Sequence, residues 1–274
     1  MNTKPEQDYV LGTHDEEIAR LGFQHRVWRS VVLDCWRSAG IKAGSRVMDI
    51  GAGPGFATVD LAEMVSPTGE VVAVERSAKF ARAADAVCRS RQLANVRIHQ
   101  LDLMANDLPP GPFDASWCRW VASFVSSPAM LVAKLAGVVR KGGVAIFHEY
   151  ADYATWRFAP RRPALEQFVQ HVMASWRAAG GEPDVALELP ALLATNGFTI
   201  RSATPRIFCV RPGEDAWRWP AGFIEVNLTR LRELGRVDAE FIAQARRELT
   251  EAEADPSSLM LTPMVLEIVA EKAG

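Results

Sequence analysis

The sequence predicts an α/β fold in which a mostly parallel sheet carries helices on both faces. Three observations predict it. The short runs "RVMDI", "EVVAVE", "VRIHQLD", "FDASWC" and "GVAIFHE", rich in apolar or β-branched residues, recur between residues 46 and 149 with helix-like stretches between them. That alternation is what a parallel sheet with crossover helices requires. A glycine-rich stretch, "GAGPG", follows the first run directly, and ligands of open parallel sheets sit beyond the carboxyl ends of the strands. The 274 residues are 49% hydrophobic, enough for a substantial core.

The elements follow in order. Thr13 and Glu16 have capping-box spacing and predict a helix start there. Ile18, Leu21, His25, Trp28, Val32 and Cys35 then recur three and four residues apart, an apolar stripe that ends near Gly40. Ala57, Leu61, Met64 and Val65 give the helix after the glycine loop its buried face. Ser77 caps the next helix, Pro128 opens the one after the fourth run, and "RKGG" is expected to stop it. Beyond Tyr150, "RPALEQFVQHVMASWRAAGG" and "LELPALLATNGF" read as helices and "FTIRSATPRIFCV" as one long strand. Residues 214–253 read as two helices joined near "LGRVD", and "TPMVLEIVAEK" as a final strand. We expect a single domain: residues 1–40 a helical cap, 41–150 a ligand-binding core, and 151–274 the rest of the sheet with a helical lid at about 212–255.

Composition narrows the function. The 31 basic and 33 acidic residues interleave to a net charge of -2, which leaves no electrostatic footprint for nucleic acid or an anionic membrane. Cys35, Cys88, Cys118 and Cys209 lack CxxC spacing and read as reduced thiols. "HEY" is not HExxH and the other histidines are scattered, so no metal site is expected. "MNTKPEQDYV" lacks a basic-then-apolar signal region, and no stretch approaches the ~18 apolar residues of a membrane span. We expect a soluble, cytoplasmic protein with a small-molecule substrate, and the sequence is compatible with a homodimer.

The glycine loop specifies the ligand. Gly51, Gly53 and Gly55 strip side chains from the backbone where a bulky polar ligand would approach. Glu75 ends the second strand about twenty residues further on, where a carboxylate accepts both hydroxyls of a ribose. The ligand is therefore expected to contain a nucleoside. A dinucleotide site wants GxGxxG, but here Phe56 takes the third glycine's slot and Pro54 removes an amide, both against NAD. Asp102 ends the third strand with an acid suited to an adenine amino group, and Asp49 is placed to anchor the loop or a ligand ammonium. A ligand with an amino acid end and an adenosine end fits both acids.

In "VMDIGAGPG", "VVAVE", "HQLDL" and "FDASWCRW" followed by "VVRKGGVAIF", the chain resembles the class I methyltransferases that use S-adenosylmethionine, over roughly residues 40–150. The opening "DYVLGTHDEEIARLGFQHRVWR" is similar to the quinone-biosynthesis and natural-product subgroup that acts on small molecules. The resemblance implies a Rossmann-like sheet of seven strands in the order 3-2-1-4-5-7-6, the last antiparallel. It places the backbone at Gly51 and Gly53 against the methionine part, Glu75 at the ribose, and Asp102 with Leu103 at the adenine. Arg119 would lie near the methionine end, and Ala52, Gly55, Arg76 and Asp49 complete the core's cofactor set. Tyr9, Gln24 and His25 become candidate contacts from a helix closing over the cofactor.

On the acceptor side, His148 is the candidate general base, since an imidazole pKa near ~6.5 suits proton removal at neutral pH. It reads equally as a packed strand residue. His25, Trp28, Tyr150, Tyr153 and Phe223 are the substrate-side candidates. His25 also reads as a core histidine, and the aromatics, with Trp156, Trp217 and Trp219, as core. The expected reaction is direct displacement of a methyl group onto an O, N or C nucleophile of a small, largely apolar molecule. The alternatives are the same fold holding S-adenosylmethionine without turnover, and a nicotinamide oxidoreductase.

Overall fold

The computed structural model describes residues 15–274, so Tyr9 and the Thr13 capping box lie outside the described residues. The chain begins with α1 (Asp15–Ser38), β1 (Arg46–Ile50), α2 (Phe56–Val65), β2 (Glu70–Glu75), α3 (Ala78–Ser90) and β3 (Val96–Gln100). β4 (Phe113–Arg119), α4 (Pro128–Val138), β5 (Val139–Asp152), β6 (Arg157–Ala159), α5 (Pro163–Ala178) and α6 (Leu189–Thr195) follow. β7 (Phe198–Arg206), β8 (Cys209–Val210), α7 (Asp215–Glu233), α8 (Ala239–Ala254), β9 (Leu259–Leu261) and β10 (Met264–Lys272) complete it.

Seven strands form one sheet in the order β3-β2-β1-β4-β5-β10-β7. β1 to β5 pair in parallel, and β10 runs antiparallel to both neighbours. β1 leads to β2 on one side and pairs with β4 on the other, so the connections leaving β1 and β4 part at the carboxyl edge. Such a switch point opens a crevice.

Side-chain alternation assigns each strand residue to one of two cores. Val47, Ala115, Trp117 and Ile146 meet Trp28, Val32 and Trp36 of α1. Met48, Ile50, Cys118 and Phe147 meet Leu131 and Leu135 of α4 on the other face. The same alternation puts His148 and Tyr150 on the face of Ile146, and Glu149 on the face of Phe147.

Two local expectations need correction. The helix before "RKGG" stops as expected, α4 ending at Val138, but β5 begins at Val139, ahead of "RKGG" and not after it, and the pairing with β4 jumps from Phe113↔Val139 to Ala115↔Val144. The extra residues bulge, with Gly142 at φ +67°. Residues 198–210 are not one strand either. β7 ends at Arg206, where Phe208 and Thr262 hold each other: Phe208 N donates to Thr262 Oγ1 and Thr262 N to Phe208 O, both at 3.0 Å. β8 then joins β6 and β9 in a separate three-stranded sheet. Among the described residues, no helix is long and apolar enough to cross a membrane.

Candidate active site

A cavity of about 760 Å³ lies at the switch point, walled by the ends of β1, β2 and β4, by Leu21 and Gln24 of α1, and by Arg230 and Leu234 from the end of α7 and the turn after it. The loop after β1 forms its floor. Gly51 and Gly53 hold φ of +62° and +56°, a region glycine enters without penalty. A Cβ on Gly51 would lie 2.4 Å from Val121 Cγ2, whereas one on Gly53 would meet nothing within 4 Å. The first glycine lets two loops pack together; the second bares the backbone to the cavity.

Three carboxylates line this space. Glu75 accepts from Gly53 N at 2.8 Å and Ser77 N at 2.7 Å, which fixes the glycine loop to the end of β2. Burial raises its pKa, with those amides opposing. Asp49, 2% exposed, accepts from Thr58 Oγ1 at 2.6 Å, and burial pushes its carboxyl up to about 7. Asp102 accepts from Met104 N at 2.8 Å, which sets the turn after β3.

Arg119 closes the opposite wall. Its Nη2 lies 3.0 Å from His25 Nδ1, whose Nε2 lies 3.0 Å from Asp60 Oδ2. Arg29 donates to both oxygens of Asp60. Burial brings the Arg119 guanidinium down to about 10, opposed first by Asp49. Its charge lies 5.0 Å from the centre of the Trp120 ring and 5.8 Å from that of Trp117.

A second, smaller cavity of about 30 Å³ adjoins the first and shares Gln24, Trp120 and Phe124 with it. Tyr150, Tyr153, Trp156, Trp176, Trp219 and Phe223 wall it. Arg20 is the one charged residue in that wall among the described residues, bonded to Glu17 through Nε at 2.7 Å and Nη2 at 2.6 Å.

Residues 47–143 match a family model described as a methyltransferase domain. That stretch, from β1 to the start of β5, is similar to methyltransferase domains. The chain is 25% identical over 150 residues to the ubiquinone/menaquinone biosynthesis C-methyltransferase UbiE of Erwinia tasmaniensis, covering 54% of this chain and 57% of that relative. The chain spans about half the length of the curated relatives it matches. Among solved structures, it resembles the YcgJ protein of Bacillus subtilis with a TM-score of 0.59 at 21% identity, over 90% of this chain and 99% of that one. A putative methyltransferase from Bacillus halodurans C-125 gives 0.60 at 16% identity, over 89% of this chain and all of the other. The likeness to these structures is one of fold, and the sheet order is that of class I methyltransferases.

The stretch from β1 to β4 brings Asp49, Gly51, Ala52, Gly53, Glu75, Arg76, Asp102, Leu103 and Arg119 to one cavity, and α1 adds Gln24. Gly55 is not in its wall: a Cβ there would lie 2.7 Å from Ala84 Cβ, so this glycine serves the approach of α2 to α3. Tyr150, Tyr153 and Phe223 wall the smaller cavity. His25 lines neither and acts on Arg119 instead. Trp28, fully buried, packs against Trp120, Phe208 and Trp219 as core.

The structure places His148, the candidate base, away from both cavities. It is fully buried and absent from both cavity walls, with Nε2 2.8 Å from Glu267 Oε2 and its ring centre 4.8 Å from that of Trp117. Cys35, His148 and Glu267 bring three metal-ligating atoms within 4.8 Å of one another. They already pair internally: Arg206 holds the second oxygen of Glu267 at 2.8 Å, and burial pushes the Cys35 thiol up.

Sequence reasoning missed Trp120 and Phe124, which belong to both cavities. The "RW" that ends the fourth strand was the available signal, because a large aromatic at the carboxyl edge of a parallel strand faces the crevice.

Proposed function

We propose that this protein is an S-adenosylmethionine-dependent methyltransferase whose acceptor is a small, largely apolar molecule. The observation that carries this reading is one cavity holding the bare main chain of Gly53 on one side and the carboxylates of Asp49, Glu75 and Asp102 around it. The residues fit the cofactor. Glu75 accepts from Gly53 N through Oε2 and from Ser77 N through Oε1, and each oxygen keeps a further acceptor position for sugar hydroxyls. Asp102 and Leu103 stand at the adenine end, and Asp49 and Arg119 offer opposite charges to a tail that carries both an ammonium and a carboxylate.

S-adenosylmethionine supplies a positively charged sulfur that makes its methyl carbon electrophilic. The protein's part is alignment and dryness. Trp120 and Phe124 adjoin both spaces, so a nucleophile held by the aromatic wall meets the cofactor side there. We read α7 and α8 as the lid; the aromatic wall takes Trp219 and Phe223 from α7.

Calorimetry with S-adenosylhomocysteine tests the cofactor, and methyl-labelled cofactor with phenols, quinones, carboxylic acids and amines tests the transfer. Saturable binding and label in at least one acceptor class are expected. Thermal indifference of the folded protein to saturating S-adenosylhomocysteine sinks the reading.

A further inference from the structure

We propose that Trp120 and Gln24 form a donor pair for an oxygen anion on the acceptor, making this an O-methylating site for a carboxylate or an acidic phenol or enol. The inference rests on the cofactor reading above. Trp120 is 8% exposed, and its indole Nε1 is buried without a hydrogen-bond partner among the described residues. An indole N–H only donates, and leaving it unpaired in a dry site is costly. Trp120 is also held at φ +53°, a backbone region that large side chains rarely occupy. Gln24 is 7% exposed; its Oε1 accepts from Arg20 Nη1 at 3.0 Å, which commits the amide oxygen and leaves Nε2 to donate. Both residues belong to both cavity walls, where acceptor and cofactor spaces adjoin.

Charge points the same way. Among the described residues, every acid lining the two cavities, Asp49, Glu75 and Asp102, belongs to the larger one, and the aromatic wall carries none. The guanidinium of Arg119 over the Trp120 ring polarises the indole further toward donation. An amine would find donors and arginines; an oxygen anion finds complements. Among the described residues that wall holds no histidine, carboxylate or lysine to serve as base, and an anion needs none.

In the step itself, an acceptor oxygen lone pair forms the new C–O bond while the C–S bond breaks and its electron pair passes to sulfur. One negative and one positive charge cancel and no proton is released. A water-poor aromatic site favours a charge-cancelling displacement.

The test uses the full chain saturated with S-adenosylhomocysteine. Calorimetry compares 3-phenylpropanoate, 4-nitrophenolate, 3-phenylpropan-1-ol and 3-phenylpropylamine in the unaltered protein and in Trp120→Phe and Gln24→Leu. The two anions separate the carboxylate from the phenolate source. We expect at least one to bind about tenfold or more tighter than the alcohol and the amine, with each variant losing most of that preference. The ¹⁵N-labelled indole N–H resonance absent from Trp120→Phe should move downfield on adding the preferred anion. Equal or tighter amine binding, an unchanged preference in Trp120→Phe, or no anion bound to the loaded protein overturns the proposal. Failure of S-adenosylhomocysteine itself to bind strikes the cofactor reading instead.

Discussion

Arg119 Nη2 lies 3.0 Å from His25 Nδ1, and the far nitrogen of the same imidazole lies 3.0 Å from Asp60 Oδ2. A guanidinium only donates, so Nδ1 accepts and Nε2 carries the proton toward Asp60. The imidazole is therefore neutral, in keeping with the lowering of its pKa by burial against the pull of Asp60. Through it α1, α2 and the end of β4 are tied together at the cavity wall.

Breaking that tie should release Arg119. In His25→Phe we expect affinity for S-adenosylhomocysteine to fall about tenfold and stability to drop about 1–2 kcal/mol. Affinity for 5′-methylthioadenosine, which has no amino acid tail, should hold. Equal losses for both ligands in calorimetry would place Arg119 away from the tail.

The two loop glycines should fail differently. Gly51→Ala drives a methyl to 2.4 Å from Val121 Cγ2 at φ +62°. Clash and strain together should cost about 2–4 kcal/mol in denaturant unfolding. Gly53→Ala meets nothing within 4 Å, so only the left-handed backbone is penalised, by about 1–2 kcal/mol. Its methyl enters the cavity, and cofactor affinity should suffer more than stability does.

Asp49 should make binding depend on pH. Burial pushes its carboxyl up to about 7, so its charge changes across the neutral range. A ligand ammonium favours the ionised form, and affinity for S-adenosylhomocysteine should rise as pH goes from about 6 to 8. Asp49→Asn should flatten that rise; a slope unchanged in the variant would assign it elsewhere.

How far the sequence disclosed the site depends on the kind of signal. That Gly53, Glu75 and Asp102 line one cavity was legible because strand ends and loop glycines sit at fixed offsets along the chain. His148 was not, because alternation fixes which face it takes but not what covers that face; α1 does, with Trp28 and Cys35. Gly55 misled for a related reason: glycine serves close helix packing as readily as ligand approach, and only the position of Ala84 decides. The break after Arg206 depends on Thr262, 54 residues from Phe208, a partner that no local pattern announces.

Glu149 should set part of the stability profile. It accepts from Val121 N at 2.7 Å, Ala122 N at 2.9 Å and Ser123 Oγ at 3.0 Å, which fixes the loop carrying Trp120. Burial raises its pKa from 4.5 to about 7. A carboxyl that holds its proton more tightly when folded loses stability as pH rises between those two values, and the loss is complete above the upper one. Glu149→Gln turns an amide N–H₂ toward backbone donors and should cost about 1–3 kcal/mol. It should also flatten the fall in melting temperature between about pH 5 and 7; an unaltered slope would mean Glu149 is not its source.

His148 should matter for folding and not for proton transfer. Its Nε2 donates to Glu267, which Arg206 braces from the other side, and its Nδ1 finds no partner. Burial lowers its pKa below 6.5, with Glu267 opposing. An unfolded chain takes a proton here that the folded chain refuses, so this group costs stability as pH falls below about 6.5. His148→Gln keeps a donor within reach of Glu267 but repacks the gap between Trp28 and Trp117, and should destabilise by about 1–3 kcal/mol. Loss of a general base slows reactions by about 10²–10⁴-fold. With any acceptor the panel yields, we expect kcat in this variant within about threefold of the unaltered protein and the same pH profile. A hundredfold fall with the fold and cofactor binding intact would return His148 to the chemistry.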